Sequence, residues 1–186
     1  NNTAVGYQAM VANTTGHGNS AFGRLALDAN TTGVQNTALG ESALGANTTA
    51  SYNVAVGSGA LGSNTTGSQN TAVGTFTLDS ETTGSANVAL GYGALTTQNG
   101  ASDNIGIGLS AGGSLTTGAR NVIVGRSAVE VATTASDNVI IGYVAGNALT
   151  TGGNNVGIGR EALRKNTTAN NNTAVGYQAL YANTTG

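Results

Sequence analysis

Few side chains in this sequence could take part in acid–base or nucleophilic chemistry. The 186 residues include one histidine, His17, eight carboxylates and no cysteine. The absence of cysteine excludes thiol nucleophiles, disulfides and zinc–thiolate sites. His17 stands between Gly16 and Gly18, a setting typical of a solvated loop residue rather than of a general base. We therefore predict that the chain is not an enzyme and uses no cofactor.

The carboxylates do not recur as pairs along the chain. Asp103 and Asp137 both precede an asparagine in the word Ser-Asp-Asn, at matching phases but far apart in the sequence. A calcium ion needs several oxygen ligands. We therefore interpret both residues as turn positions and predict no metal site.

Asn-x-Thr sequons are numerous, and most of them share one phase. Those at the common phase are Asn13, Asn30, Asn47, Asn64, Asn166 and Asn183. Two more begin at Asn1 and Asn171. An exposed sequon can accept an N-glycan, whereas Asn and Thr are also ordinary turn residues. Turn chemistry is the interpretation we favour, and a glycan-decorated fibre stays open as the alternative.

The overall composition excludes several classes of partner. Only 8% of residues are charged and the formal net charge is -2, so nothing favours binding to nucleic acid or to an anionic membrane. The mean hydropathy is -0.03 and no long apolar run occurs, so we expect no membrane insertion. Polar chains with few charges are sometimes disordered, but the periodicity of this one favours an ordered fold.

The elements that position these side chains follow from a 17-residue repeat. Asn, followed four positions later by Gly, recurs in one register with no insertion. The units start at Asn2, Asn19, Asn36, Asn53, Asn70, Asn87, Asn104, Asn121, Asn138, Asn155 and Asn172. We number the positions of each unit 1 to 17 from that asparagine and treat residues 1–186 as a single repeat array.

The residue types at fixed positions predict the fold class. Position 5 is Gly and position 4 is apolar in every unit, and positions 12 to 15 often spell Asn-Thr-Thr-Gly. The period is too short for a helical hairpin and suits one coil of a β-solenoid. β-Branched residues at positions 2 and 4 favour a strand, Gly at position 5 suits a corner with positive φ or a close backbone approach, and Asn-Thr-Thr-Gly suits a second corner. We predict an all-β fold, a β-solenoid of eleven coils, the last of them incomplete.

The invariant asparagine column has a structural explanation. Stacked coils place one Asn over the next about 4.8 Å apart, so each amide can bond its neighbours as in the Asn ladders of stacked strands. We favour this ladder over a row of ligand-binding amides.

The strand also predicts self-association. Alternate residues of a strand point to opposite faces, so we expect positions 2 and 4 to fill the coil interior and position 3 to point outward. Position 3 is nevertheless only Ala, Gly or Ile, as though both faces were buried. We expect several copies of the chain to associate along their length through position 3.

The repeat resembles a known family. The words NVAVG at residues 53–57 and NVALG at residues 87–91 are similar to the Asn-Ser-Val-Ala-Ile-Gly repeat of YadA-type heads in trimeric autotransporter adhesins, and related repeats occur in phage tail fibres. The resemblance implies a left-handed parallel β-roll that is trimeric, extracellular and adhesive. It further implies that Val54, Val56, Val88 and Leu90 fill the roll while Ala55 and Ala89 face a neighbouring surface. The unit here is longer than that of the family.

We accordingly expect a repeat segment of an extracellular or cell-surface fibre, or of a virion fibre, that serves as shaft or adhesive head. No polar cap is visible at either end of the array, and solenoids need caps, so we expect a window from a longer fibre. Its partners would be further copies of the chain and a surface receptor or glycan. A structural filament without a specific receptor is the alternative.

Two columns could carry binding. Position 6 is rich in Tyr and Arg, two residue types favoured in interfaces, and Tyr92, Arg126 and Tyr143 are the candidates we select. Side chains that merely cover the corner are the plainer alternative. The paired Thr residues suggest ice binding as a further alternative. It is the weaker one, because adjacent residues of a strand point to opposite sides and leave one outward Thr column instead of two.

Overall fold

The protein is a parallel β-solenoid. A computed structural model describes residues 1–184, so Thr185 and Gly186 of the last unit lie outside the described residues. Within 1–184 there is no α-helix, and eleven three-residue strands follow one another. They are β1 (Thr3–Val5), β2 (Ser20–Phe22), β3 (Thr37–Leu39), β4 (Val54–Val56), β5 (Thr71–Val73), β6 (Val88–Leu90), β7 (Ile105–Ile107), β8 (Val122–Val124), β9 (Val139–Ile141), β10 (Val156–Ile158) and β11 (Thr173–Val175). The predicted all-β solenoid is confirmed.

The strands form one sheet in sequence order. All ten pairings are parallel, and the register matches equivalent positions of neighbouring coils, as where Val54 faces Thr71. Each strand occupies positions 2 to 4, and the other residues of the unit carry the chain round to the next coil. Equivalent side chains therefore stack in columns along the axis.

The corner glycines behave as the repeat predicts. The glycines at position 5 all have positive φ, between 127° and 145°. They are also tightly stacked, because a Cβ on Gly57 would lie 2.5 Å from the carbonyl oxygen of Gly74 in the next coil. Both the backbone conformation and the space exclude a side chain there.

Three further positions of each coil adopt positive φ with ordinary residues. Positions 7, 9 and 17 do so in every unit that reaches them, as at Phe76 (54°), Leu61 (51°) and Tyr52 (63°). Position 7 is the third residue of a turn closed by a hydrogen bond from the position 8 N–H to the position 5 carbonyl, where a type II turn requires positive φ. These bends close the coil within 17 residues.

The direction of the strand side chains is the opposite of our prediction. Position 3 is buried in every coil except the first, with Ala55 and Ala89 at most 1% exposed. No residue at position 2 or 4 is buried: Val54, Val88 and Leu90 are 37–45% exposed and Val56 is half-buried. The coil is narrow, so its interior has room for one column of strand residues, those at position 3. The residues at positions 2 and 4 point outward.

The interior is completed by positions 8 and 9. Leu at position 9 is fully buried in most coils, as Leu27, Leu44 and Leu61 illustrate. Positions 3 and 9 share one space, since a Cβ on Gly146 would lie 3.2 Å from Cγ2 of Ile140. A larger residue in one column therefore requires a smaller residue in the other.

Candidate functional site

The asparagines at position 1 form a hydrogen-bonded ladder inside the fold. Asn53 Oδ1 accepts from the backbone N–H of Asn70 at 2.9 Å. Asn70 Nδ2 donates to the carbonyl of Gly84 at 2.8 Å, and its Oδ1 accepts from Nδ2 of Asn87 at 3.1 Å. All of these asparagines except Asn2 and Asn172 are buried. Their amides form hydrogen bonds to the neighbouring coils and to the second corner, and are therefore not available to a ligand.

The sequon asparagines at position 12 of coils 1 to 4 form a second ladder. Asn47 Nδ2 donates to Asn30 Oδ1 at 2.8 Å and to the carbonyl of Ala50 at 3.2 Å. Asn30, Asn47, Asn64 and Asn166 are 0% exposed, so the folded chain has no room for a glycan on them. This corrects the glycosylation alternative at those four positions.

The remaining sequons lie closer to the ends of the array. Asn13 and Asn183 are half-buried, and Asn1 and Asn171 are exposed. Of these four, the two exposed side chains alone could meet a transferase without local unfolding.

Glu81 interrupts the second ladder in coil 5. Its side chain is fully buried, and Oε1 accepts four backbone N–H donors, with Gly84 at 2.6 Å and Gly100 at 2.7 Å. Oε2 accepts from Nε2 of Gln98 at 3.1 Å. A carboxylate cannot donate a hydrogen bond to Asn64, the position 12 residue of the preceding coil. Oδ1 of Asn64 is therefore a buried acceptor without a hydrogen-bond partner.

The outward residues of the strands form a continuous surface that we call the apolar strip. It consists of positions 2 and 4 of all eleven coils, and it carries Val, Ile, Leu or Phe at every position 4 and at six of the position 2 sites. The other five members are Thr or Ser, and none is charged. Ten strand spacings make the strip about 50 Å long.

The three residues chosen for the binding column differ in their neighbours. Tyr92 packs edge-to-face against Phe76, with ring centroids 6.2 Å apart. Arg126 is exposed and makes no hydrogen bond or ion pair with the described residues. Tyr143 contacts Arg160 of the next coil instead, with Cζ 5.6 Å from the ring centroid.

Coils 9 to 11 bring together a set of side chains that we call the tyrosine–cation cluster. Its members are Tyr143, Arg160, Arg164, Lys165, Tyr177 and Tyr181. Arg160 is stacked between Tyr143 and Tyr177, at 5.6 and 5.9 Å from their centroids. Arg164 and Lys165 both lie over Tyr181, at 5.7 and 5.3 Å. The signal in the sequence was the word REALRK at residues 160–165, which contains half of the lysines and arginines of the chain.

Glu161 lies beneath this cluster with a side chain 9% exposed. The hydrogen bond from Nε2 of Gln178, at 2.9 Å, holds the pKa of Glu161 below its usual value, and the positive charges of Arg164 and Arg160 act in the same direction against burial. Each arginine has a nitrogen 3.4 Å from the carboxylate. Glu161 thereby ties the two arginines into one surface.

The threonine columns differ in how their hydroxyls are used. At position 13, hydroxyls donate to the next coil, as Thr31 does to the carbonyl of Thr48 at 3.0 Å. At position 14 every described residue is exposed, and the hydroxyls there, such as those of Thr49 and Thr66, donate to no described residue. A column of free hydroxyls therefore runs along the rod, interrupted in coil 6 by Gly100.

The other candidates for chemistry are dispersed. His17 is exposed at a corner. Arg120 separates Asp103 from Asp137 and binds Asp137 through two hydrogen bonds of 2.6 and 2.9 Å, which hold the pKa of that carboxyl below its usual value. Over residues 1–184 no three acidic, histidine or cysteine side chains cluster as metal ligands, and the surface has no pocket. The same residues include no helix suited to crossing a bilayer.

Comparison with known proteins yields no relative of the chain. No family model matches it, and neither a curated protein nor a solved structure is significantly similar to it.

Proposed function

We propose that this protein is a non-enzymatic, structural and adhesive repeat segment of an extracellular fibre, whose copies associate side by side through the apolar strip. The observation that carries the proposal is the strip itself. The sequence predicted self-association through position 3, but position 3 is buried inside the coil. We therefore assign self-association to the apolar strip.

An uncovered apolar face is unusual for a parallel sheet. Parallel sheets occur almost only where both faces are covered. One face of this sheet packs on the leucines of its own coil, whereas the other exposes side chains such as Val5, Leu39 and Val175 to 50% or more. Burial of that face would stabilise an assembly by about 25 cal/mol for each Å² of apolar area removed from water.

The character of the strip favours a second copy as its occupant. It carries no charge and few polar groups, so it offers little that would select an unrelated partner. Its side chains repeat at the coil spacing over about 50 Å, and another copy of the same rod has the matching period. Like surfaces that pack on each other in this way are typical of closed symmetric oligomers.

The size of the strip suits association along the length of the rod. Three residues of strand span about 10 Å, so the strip projects about 500 Å². The largest apolar patch of an ordinary monomer is about 300–600 Å², and a standard interface takes about 800 Å² from each partner. The flanking corners would supply the remainder, and each further coil would enlarge the contact. The YadA-like resemblance suggests three copies.

Two variants with matched charge test the proposal. Val56→Glu with Val124→Glu puts two carboxylates in the strip, and Thr66→Glu with Thr134→Glu puts two in the exposed position 14 column of the same coils. Light scattering should give a multiple of 18.1 kDa for the unaltered chain and for the threonine control. The strip variant should give 18.1 kDa with an unchanged β-type circular dichroism spectrum, because a buried unpaired charge is costly. A stable monomer of the unaltered chain would contradict the proposal.

A further inference from the structure

We propose that the tyrosine–cation cluster of coils 9 to 11 binds acidic polysaccharide chains. This inference rests on the adhesive function proposed above and names the chemical class of its ligand. It concerns the corners of the coils and is separate from the apolar strip.

Charge is distributed unevenly along the rod. Three cations and one carboxylate give residues 155–186 a net charge of +2, whereas three cations and seven carboxylates give residues 1–154 a net charge of -4. Coil 10 therefore carries a positive surface on a molecule that is otherwise negative. Such a local field attracts polyanions to one part of the rod.

Hydrogen-bond donors of the cluster remain available. The one hydrogen bond of the Arg160 side chain to a described residue runs from Nε to Glu161, and Nζ of Lys165 has no acceptor within residues 1–184. The side chain of Arg160 is 62% exposed, whereas that of Glu161, the one carboxylate in the coil, is 9% exposed. The tyrosine rings hold Arg160 in place, which lowers the entropy lost when its guanidinium binds an anion.

The shape of the surface favours an extended ligand. The described residues form no pocket, so a small anion would be poorly enclosed. Arg126, two coils before Arg160 in the same column, is exposed and extends the positive surface by about 10 Å along the axis. A flexible acidic chain could reach these charges together, and its repeated weak contacts would add by avidity.

The aromatic geometry favours acidic polysaccharide over nucleic acid. Proteins that bind single strands present free aromatic faces on which bases stack. Here Arg160 occupies the facing sides of Tyr143 and Tyr177, and the cations of coil 10 occupy a side of Tyr181. The cluster therefore offers charge and hydrogen bonds more than stacking surface.

Binding of the full chain to immobilised heparin tests the inference. Hyaluronate serves as a carboxylate-only polysaccharide, dextran as a neutral one, and a single-stranded oligonucleotide as the alternative polyanion. We expect heparin to bind and dextran not to bind, with affinity falling as salt is raised because counterions are released. Hyaluronate distinguishes whether carboxylates suffice or sulfates are required.

Paired variants locate the site. Arg164→Gln with Lys165→Gln should weaken heparin binding about tenfold and make its salt dependence less steep. Arg24→Gln with Arg120→Gln removes the same charge from coils 2 and 7, where each arginine pairs with a carboxylate, and should leave binding within about twofold. Absence of heparin binding at low salt, equal loss in both variants, or tighter binding of the oligonucleotide would overturn the inference.

Light scattering on the same samples separates this result from the proposed association. A monomer that binds heparin through coil 10 would contradict association through the strip and leave the polysaccharide site standing. An oligomer that binds no acidic polysaccharide would contradict the polysaccharide site and leave association through the strip standing.

Discussion

At the scale of single residues, the interruption of the second ladder is the clearest departure from the repeat. Where coils 1 to 4 place an amide that both donates and accepts, Glu81 only accepts, and Oδ1 of Asn64 is left without a donor. An unpaired buried acceptor costs about 1–3 kcal/mol. Gln98 in the next coil demonstrates that the same position accommodates a longer amide.

Replacement of Glu81 by Gln tests how much the buried carboxylate contributes and should lower the stability of the protein. The new Nε2 would take the place of Oε2 and could donate to Asn64, but Nε2 of Gln98 would lose the acceptor that it now has at 3.1 Å, while the remaining oxygen keeps the backbone donors. One hydrogen bond is gained and one is lost, and the four backbone N–H groups no longer have a carboxylate as their acceptor. We expect the free energy of unfolding in urea at pH 7 to fall by about 1 kcal/mol. Asp28→Asn removes the same charge outside the ladder and should change stability by less than about 0.5 kcal/mol. A gain of stability on Glu81→Gln would mean that the restored ladder bond outweighs the bonds that the carboxylate accepts from the backbone and from Gln98.

At the scale of the element, sequence reasoning identified the strand and its boundaries but inverted its faces. Alternation fixes which residues share a face and not which face points inward. We assigned the larger residues to the interior, as in an ordinary core. In a coil this narrow, position 3 lies against position 9, as where a Cβ on Gly157 would come within 3.0 Å of Cδ1 of Leu163. Two columns of valine and isoleucine would not fit beside the leucines.

The bends with positive φ were not predicted because most residues there are not glycine. Leucine, glutamine and serine hold the left-handed conformation at positions 7, 9 and 17. The signal lay in the exchange of these residues with glycine, at Gly59 and Gly93 in position 7 and at Gly112 and Gly146 in position 9. Packing at position 9 offsets the strain, since a buried leucine contributes about 1.5–3 kcal/mol.

Ala86 provides a test of this strain because it is exposed and has a φ of 58°. Glycine adopts that conformation without the steric cost of about 1–2 kcal/mol, and it loses about 0.4–1 kcal/mol more entropy on folding. We expect Ala86→Gly to raise the stability measured by urea unfolding by about 0.5–1 kcal/mol.

Ala46→Gly is the control, since Ala46 is not among the residues with positive φ. It should lower stability by about 0.5–1 kcal/mol. If both substitutions lowered stability equally, the bend at position 17 would carry no strain in solution.

At the scale of the whole molecule, the constant register makes the coil the unit of construction. Contacts run between neighbouring coils, so stability is approximately a sum of coil and interface terms. Insertion of a second copy of residues 53–69 should add one coil and lengthen the rod by about 4.8 Å. Small-angle X-ray scattering would measure the length, and thermal unfolding should begin no earlier than in the original chain.

The same insertion with one extra serine is the matched control. A slip of one residue turns a strand over, so it would place position 3 outside and positions 2 and 4 inside. We expect this variant to lose part of its β-type spectrum and to unfold at a lower temperature. Equal stability of the two insertions would mean that the register between coils is not fixed by the strand.

The hydrogen bonds between coils give the rod a mechanical character. Bonds such as that from the Val54 N–H to the carbonyl of Asn70, at 2.9 Å, join one coil to the next, so tension between the two ends loads them in series. A terminal coil has one neighbour instead of two and yields first, and its 17 residues release about 50 Å of extended chain. The rod would lengthen in equal steps under load, and an optical trap would record them. A rod built this way would yield to a pull one coil at a time, while the remaining coils stay folded.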